Sequence, residues 1–128
     1  MPITPLNPAS MHRSPAFSQG MLVENPGKLI IVGGQNGIDA TGHLVSDDLG
    51  EQTRQALRNV LEVLKEAGAS QKDVIKLTIY MAAGQSVDAA FRASRDVWGD
   101  HATAISVLSV GLDRPGVLVE IEAMAALP

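Results

Sequence analysis

The chain of 128 residues is 45% apolar, 19% charged and 3% aromatic, carries a formal net charge of −4 and contains no cysteine. That length fits one domain, and the missing cysteine excludes a disulfide scaffold, a thiol nucleophile and every zinc site with Cys ligands. The acidic balance and the few stacking aromatics argue against nucleic acid as a partner. No apolar run reaches the ~20 residues of a membrane span, and residues 1–14 lack the apolar core of a secretory signal. The expectation is one cytoplasmic domain over residues 1–128 with no membrane contact.

Residues 1–14 contain Pro2, Pro5 and Pro8 and read as an extended N-terminal arm. Residues 17–23 and 29–32 read as two strands of a β-hairpin, with Asn25-Pro26-Gly27 as its turn and glycine taking the positive φ. Gly33, Gly34, Asn36 and Gly37 suggest a tight turn region, and Asp39-Ala40-Thr41-Gly42 a second turn. Leu49, Thr53, Ala56, Leu57, Val60, Leu61 and Leu64 then recur at helical spacing. Asp48 and Glu51 have the spacing of a capping box, and Gly68 is placed to end the helix. Residues 74–81 alternate as a strand. Ser86 caps a second helix carrying Val87, Ala90, Phe91, Val97 and Trp98. Residues 104–110 and 117–126 complete the order as two strands joined by Asp113-Arg114-Pro115-Gly116. The order fits an α+β fold: a mixed β-sheet with two helices on one face and its other face open to an oligomeric partner.

Few motifs carry chemistry. The glycines at 33, 34 and 37 match neither GxGxxG nor GxxxxGK[ST]. His12, His43 and His101 form no HxxxH pair, so no metal site is expected, and no GxSxG elbow surrounds a serine. Glu120 and Glu122 are different. Two apart in a strand, they project from the same face, ~7 Å apart, and can do acid–base work. Arg114, in the preceding turn, is a candidate partner for an acid or an anionic substrate.

Five segments in order then match a family. They are Ser14-Pro15-Ala16-Phe17-Ser18-Gln19-Gly20, Ile30-Ile31-Val32-Gly33-Gly34-Gln35, the helical Gln52-Thr53-Arg54-Gln55 with Asn59-Val60, Asp73-Val74-Ile75-Lys76-Leu77-Thr78-Ile79-Tyr80, and Pro115 followed by Val119-Glu120-Ile121-Glu122-Ala123-Met124-Ala125. Over residues 14–125 the chain resembles the reactive intermediate deaminase (RidA/YjgF) family. The resemblance implies a chorismate-mutase-like fold and a homotrimer with ligand clefts between subunits. It also implies hydrolysis of small imines or enamines to a keto compound and ammonia, without a cofactor. An arginine of the family holds the substrate carboxylate, and a glutamate of the last strand positions water.

Carried over position by position, Glu120 matches the water-positioning glutamate, and Gly34 with Gln35 the glycine–glutamine that shapes the cleft. The other positions depart from the family. Ile105 stands where the carboxylate-binding arginine is expected, Val107 for a cysteine, Phe17 for a tyrosine, Gly33 for a serine and Phe91 for an asparagine. The scaffold motifs survive while the cleft becomes apolar, as in arginine-lacking subgroups. The resulting expectation is a small-metabolite imine or enamine hydrolase of altered specificity. Glu120 is catalytic, Phe17, Gly33, Gly34, Phe91, Ile105 and Val107 form the pocket, and Arg114 takes over anion binding. The alternative is a trimer that binds a metabolite or a protein partner without turnover.

Overall fold

The computed structural model describes residues 3–128. Two strands, β1 (Ile3–Leu6) and β2 (Gly20–Val23), pair antiparallel as a separate ribbon. The remaining strands are β3 (Lys28–Gln35), β4 (Val74–Ala82), β5 (Ala104–Val110) and β6 (Val119–Leu127). They form a mixed sheet in the order β3-β6-β4-β5, in which only β4 and β5 are parallel. Two helices, α1 (Leu49–Glu66) and α2 (Val87–Trp98), pack against each other, and α1 also packs against β3 and β6. The fold is the expected α+β mixed sheet with its helices on one face.

The opening hairpin is a correction. β2 pairs with the arm through Ile3↔Val23 to Leu6↔Gly20 and not with β3, so the arm contains a strand. Sequence spacing could not rank this distant pairing against the adjacent one. In the intervening turn the positive φ belongs to Asn25, at 50°, and not to Gly27. Gly27 serves another purpose, since a Cβ there would collide with the main chain of Pro128. The Gly33-Gly34 segment is likewise no turn. It lies inside β3, where the register with β6 shifts between Val32 and Gln35, a bulge that glycine accommodates.

Helix α1 begins at the Asp48 cap, whose Oδ2 accepts from Glu51 N at 2.9 Å. The return half of the capping box is absent, because Glu51 engages Arg54 instead. At the other end, Gly68 N donates to Lys65 O and Ala69 N to Leu64 O, the Schellman pattern made accessible by φ +78° at Gly68. Leu49, Ala56, Leu57, Val60 and Leu64 of α1 are buried with Val32, Leu77, Met81, Val119, Ile121, Ala123 and Ala125 of the sheet. Burial of such side chains is the main stabilising term, at roughly 25 cal/mol per Å² of apolar surface.

Two buried polar residues, Gln52 and Thr53, interrupt the apolar face of α1, and Thr53 Oγ1 simply donates to Leu49 O within the helix at 2.8 Å. Gln52 is fully buried, and its Nε2 donates to Ser46 O and Gly116 O, both at 2.9 Å. Its Oε1 accepts from Leu118 N at 2.9 Å. Gly37 lies against it so closely that a Cβ would be 2.6 Å from the Gln52 Cα. Gln52→Leu keeps the volume but strands two carbonyls and one N–H. It is expected to lower the unfolding free energy by about 2–4 kcal/mol. Urea denaturation at fixed protein concentration reads this loss, and an unchanged midpoint would remove Gln52 from its anchoring role.

Candidate active site

Alternation along β6 sends Val119, Ile121 and Ala123 to the helices and Glu120, Glu122 and Met124 to the open face. The register places Glu120 beside Tyr80 and Glu122 beside Thr78. The β3 bulge lets the Glu120 side chain cross bare backbone, for a Cβ on Gly34 would lie 2.5 Å from its Oε2. Asn36 Nδ2 donates to Glu120 Oε1 at 2.9 Å. Asn36 is itself fixed from α1: Asn59 Nδ2 donates to the carbonyls of Asn36 (3.1 Å) and Ile38 (2.9 Å). Gln55 Nε2 in turn donates to Asn59 Oδ1 at 2.9 Å. One carboxylate oxygen is thereby held by a neutral donor.

Beside it, the Tyr80 hydroxyl donates to Glu122 Oε1. That hydrogen bond, followed by desolvation and then the charges of Glu122 and Glu120, raises the phenol above its ordinary value. Lys76 Nζ donates to Ser106 Oγ at 2.6 Å further along the same face. Leu29, Ile31, Leu108 and Met124 also lie on it with their side chains largely exposed.

On the other side of the sheet a cavity of about 600 Å³ opens between α2, the ends of β4 and β5, and the segment before β2. Phe17, Phe91, Trp98, Ile105 and Val107 line it, with Leu57 and Ile79 at its base. Phe17 is positioned by its neighbour Ser18, whose N donates to Thr103 O at 2.9 Å and whose hydroxyl donates to Ala102 O. Trp98 is buried, and its Nε1 donates to His101 O at 3.2 Å. His101 Nε2 lies 2.8 Å from Val74 O. A carbonyl only accepts, so this nitrogen carries the proton. Arg95, at the edge of the cavity, pairs with Asp100 at 3.1 Å, and its guanidinium lies 5.6 Å from the Phe91 ring centroid.

The residues singled out in the sequence therefore fall into groups. Phe17, Phe91, Ile105 and Val107 meet in the cavity, while Glu120 and Gly34 meet on the opposite face of the same sheet. Gly33 is exposed beside Gly34 and its carbonyl accepts from Gln35 Nε2 at 3.1 Å. Arg114 does not join either group. Its Nη2 donates to Gly42 O at 2.8 Å, tying two turns together, and the arginine does not line the cavity. Among the described residues no cluster of His, Asp and Glu could hold a metal ion. Asn36, Asn59, Trp98 and His101 escaped the sequence reading. Their signals were indirect: Asn59 stood in the matched helical segment, Asn36 among the glycines after residue 32, and Trp98 at helical spacing from Phe91.

The chain is similar to known proteins over most of its length. A family model described as endoribonuclease L-PSP matches residues 9–127. A RutC family protein of Pyrococcus abyssi is 34% identical over 110 residues, 85% of this chain and 84% of the relative. The human protein named 2-iminobutanoate/2-iminopropanoate deaminase is 32% identical over 110 residues, 85% of this chain and 78% of its own. Among solved structures, a Rid-family protein of Yersinia pestis superposes with a TM-score of 0.87 at 34% identity, covering 99% of this chain and 100% of that one.

Tyr80 is the single tyrosine, so its titration can be followed directly by absorbance near 295 nm. Because folding raises its pKa, the native state holds the proton to higher pH than the unfolded chain. Its stabilising contribution is therefore complete below the unfolded value of about 10 and is lost as pH rises through the folded value. Glu122→Ala is expected to move the phenol titration to lower pH, and an unmoved titration would contradict the assigned cause.

Proposed function

The chain belongs to the RidA/YjgF family, and from that premise we propose that it hydrolyses imine or enamine intermediates of small metabolites to carbonyl compounds and ammonia, as a homotrimer. The observation that carries the reading is the seating of Glu120 across Gly34 with Asn36 as its hydrogen-bond donor. The imine carbon is already electrophilic, so the barrier lies in delivering water and moving its proton. Asn36 occupies Oε1, and Oε2 is the atom that accepts from the attacking water. Addition gives a carbinolamine. Its nitrogen takes up a proton and leaves as ammonia, and the hydroxyl proton is lost as the carbonyl forms.

Assembly belongs to the same proposal. Leu29, Ile31, Leu108 and Met124 give the open face an apolar character suited to a partner copy. Within one subunit the sheet also stands between Glu120 and the cavity, so a site using both draws them from two copies. The departure at Ile105 supports altered specificity, because a bidentate arginine clamp cannot be replaced by an isoleucine. The cavity's separation from Glu120 favours a second reading, a trimer that binds a metabolite without turnover.

Freshly generated 2-iminopropanoate, 2-iminobutanoate and larger imines provide the test. Ammonia release above the buffer rate is expected with at least one of them, and Glu120→Gln should slow it by about 10²-fold or more. Release at the buffer rate throughout, unchanged by Glu120→Gln, would leave only the binding reading. Light scattering reads the assembly: a monomer or dimer at assay concentration would sink the trimer.

A further inference from the structure

The cavity behind the sheet has more room and less polarity than a three- or four-carbon 2-imino acid requires. About 600 Å³ falls within the range of sites that enclose drug-sized ligands. Its walls are the rings of Phe17, Phe91 and Trp98 and the branched side chains of Ile79, Ile105 and Val107. A carboxylate entering such a space must exchange water for a cation, or bear the full cost of desolvation.

Among the described residues no unpaired lysine or arginine lines it; Arg13 lines only the adjoining hollow, which shares Phe17, Asp100 and His101 with the cavity. Arg95 is the only lysine or arginine bordering the cavity, and it is engaged twice, by the Asp100 carboxylate at 3.1 Å and by the face of Phe91 at 5.6 Å. His101 uses its protonated nitrogen on Val74 O. Arg114 is held at Gly42 O. The remaining charged side chain at the rim is Asp88, in the first turn of α2, a carboxylate with no ion-pair partner among the described residues. The charged side chains lining the cavity, Asp88, Arg95 and Asp100, carry one net negative charge, which favours a neutral or cationic group over an anion.

We propose that this cavity binds carbonyl compounds and imines that have a large apolar or aromatic substituent and lack a carboxylate. The inference rests on the family reading for the reacting group, a C=N or C=O carbon, and takes the rest of the ligand from the cavity. Where turnover follows, it is R(R′)C=NH + H₂O → R(R′)C=O + NH₃, with water supplying the carbonyl oxygen and both its hydrogens passing to nitrogen.

A matched pair of product-like ketones tests it. 4-Phenylbutan-2-one and 2-oxo-4-phenylbutanoate differ only by methyl against carboxylate on the carbonyl carbon. Calorimetric titration of the parent protein is expected to show the ketone binding at least tenfold more tightly than the keto acid. Ile105→Arg should narrow or reverse that ratio, and Phe91→Ala should weaken the ketone about tenfold or more. Tighter binding of the keto acid by the parent, or saturable binding of neither, overturns the proposal without reference to any variant. The outcome is separate from catalysis. Ketone preference with no ammonia release sinks the hydrolase and leaves this site standing. Ammonia release from 2-iminopropanoate without the ketone preference does the reverse.

Discussion

The three hydrogen bonds of the Gln52 side chain set the frame in which Glu120 is placed. The residue is fully buried in a mostly apolar helix face, and its amide joins α1 to the segment at Ser46 and to the turn at Gly116 and Leu118. The first segment follows Asn36, which holds the carboxylate, and the second leads directly into the strand that carries it. A buried amide is tolerated only when satisfied, and here the two donor bonds and one acceptor bond all go to backbone. Gln52 thus braces the chain entering the Glu120 strand, while Asn59, two helical turns on, holds the Asn36 end of the contact. Gly37, pressed against the Gln52 backbone, closes the arrangement because no side chain fits between them.

Around that frame the sheet divides the molecule by chemistry. Its open face carries the titratable groups Glu120, Glu122, Tyr80 and Lys76 among exposed apolar side chains. Its helix face carries mainly apolar side chains, among them Leu77, Ile79, Ile105 and Ile121 at the cavity. The strict alternation of β6 makes the division sharp, since Ile121 faces the cavity while its neighbours Glu120 and Glu122 face away.

Both helices were legible because local signals agreed: Asp48 and Ser86 as caps, Gly68 at the C-terminus, and an apolar period of 3.6 between them. Strands β4, β5 and β6 were legible for the same reason. The position of Glu120 on the face opposite Ile121 also followed from parity alone. The pairing of β2 with the arm was not legible, because local turn chemistry at 24–28 pointed to β3 and nothing in the sequence ranks a distant partner. Gln52 appeared only as part of a family motif, since its bonding partners lie 6, 64 and 66 residues away. That Ile105 and Val107 share a cavity with Phe91 depends on the parallel register of β5 with β4, which spacing within β5 cannot supply. The contact of Arg114 was not legible for the complementary reason. A free arginine on a turn resembles an anion ligand until the partner carbonyl, 72 residues away, is known.

The parallel pairing of β4 with β5 requires a crossover, and α2 is that crossover. It supplies Phe91 and Trp98 to the cavity, packs on α1, and makes no hydrogen bond in the chain from Gln55 to Glu120. The cavity's aromatic wall and the hydrogen bonds around Glu120 thus come from different stretches of polypeptide. Substitutions in the connecting helix can accumulate and exchange one ligand for another, while the carboxylate and its supports descend unaltered. The fold can diversify what it accepts without renegotiating the residues that would act on it.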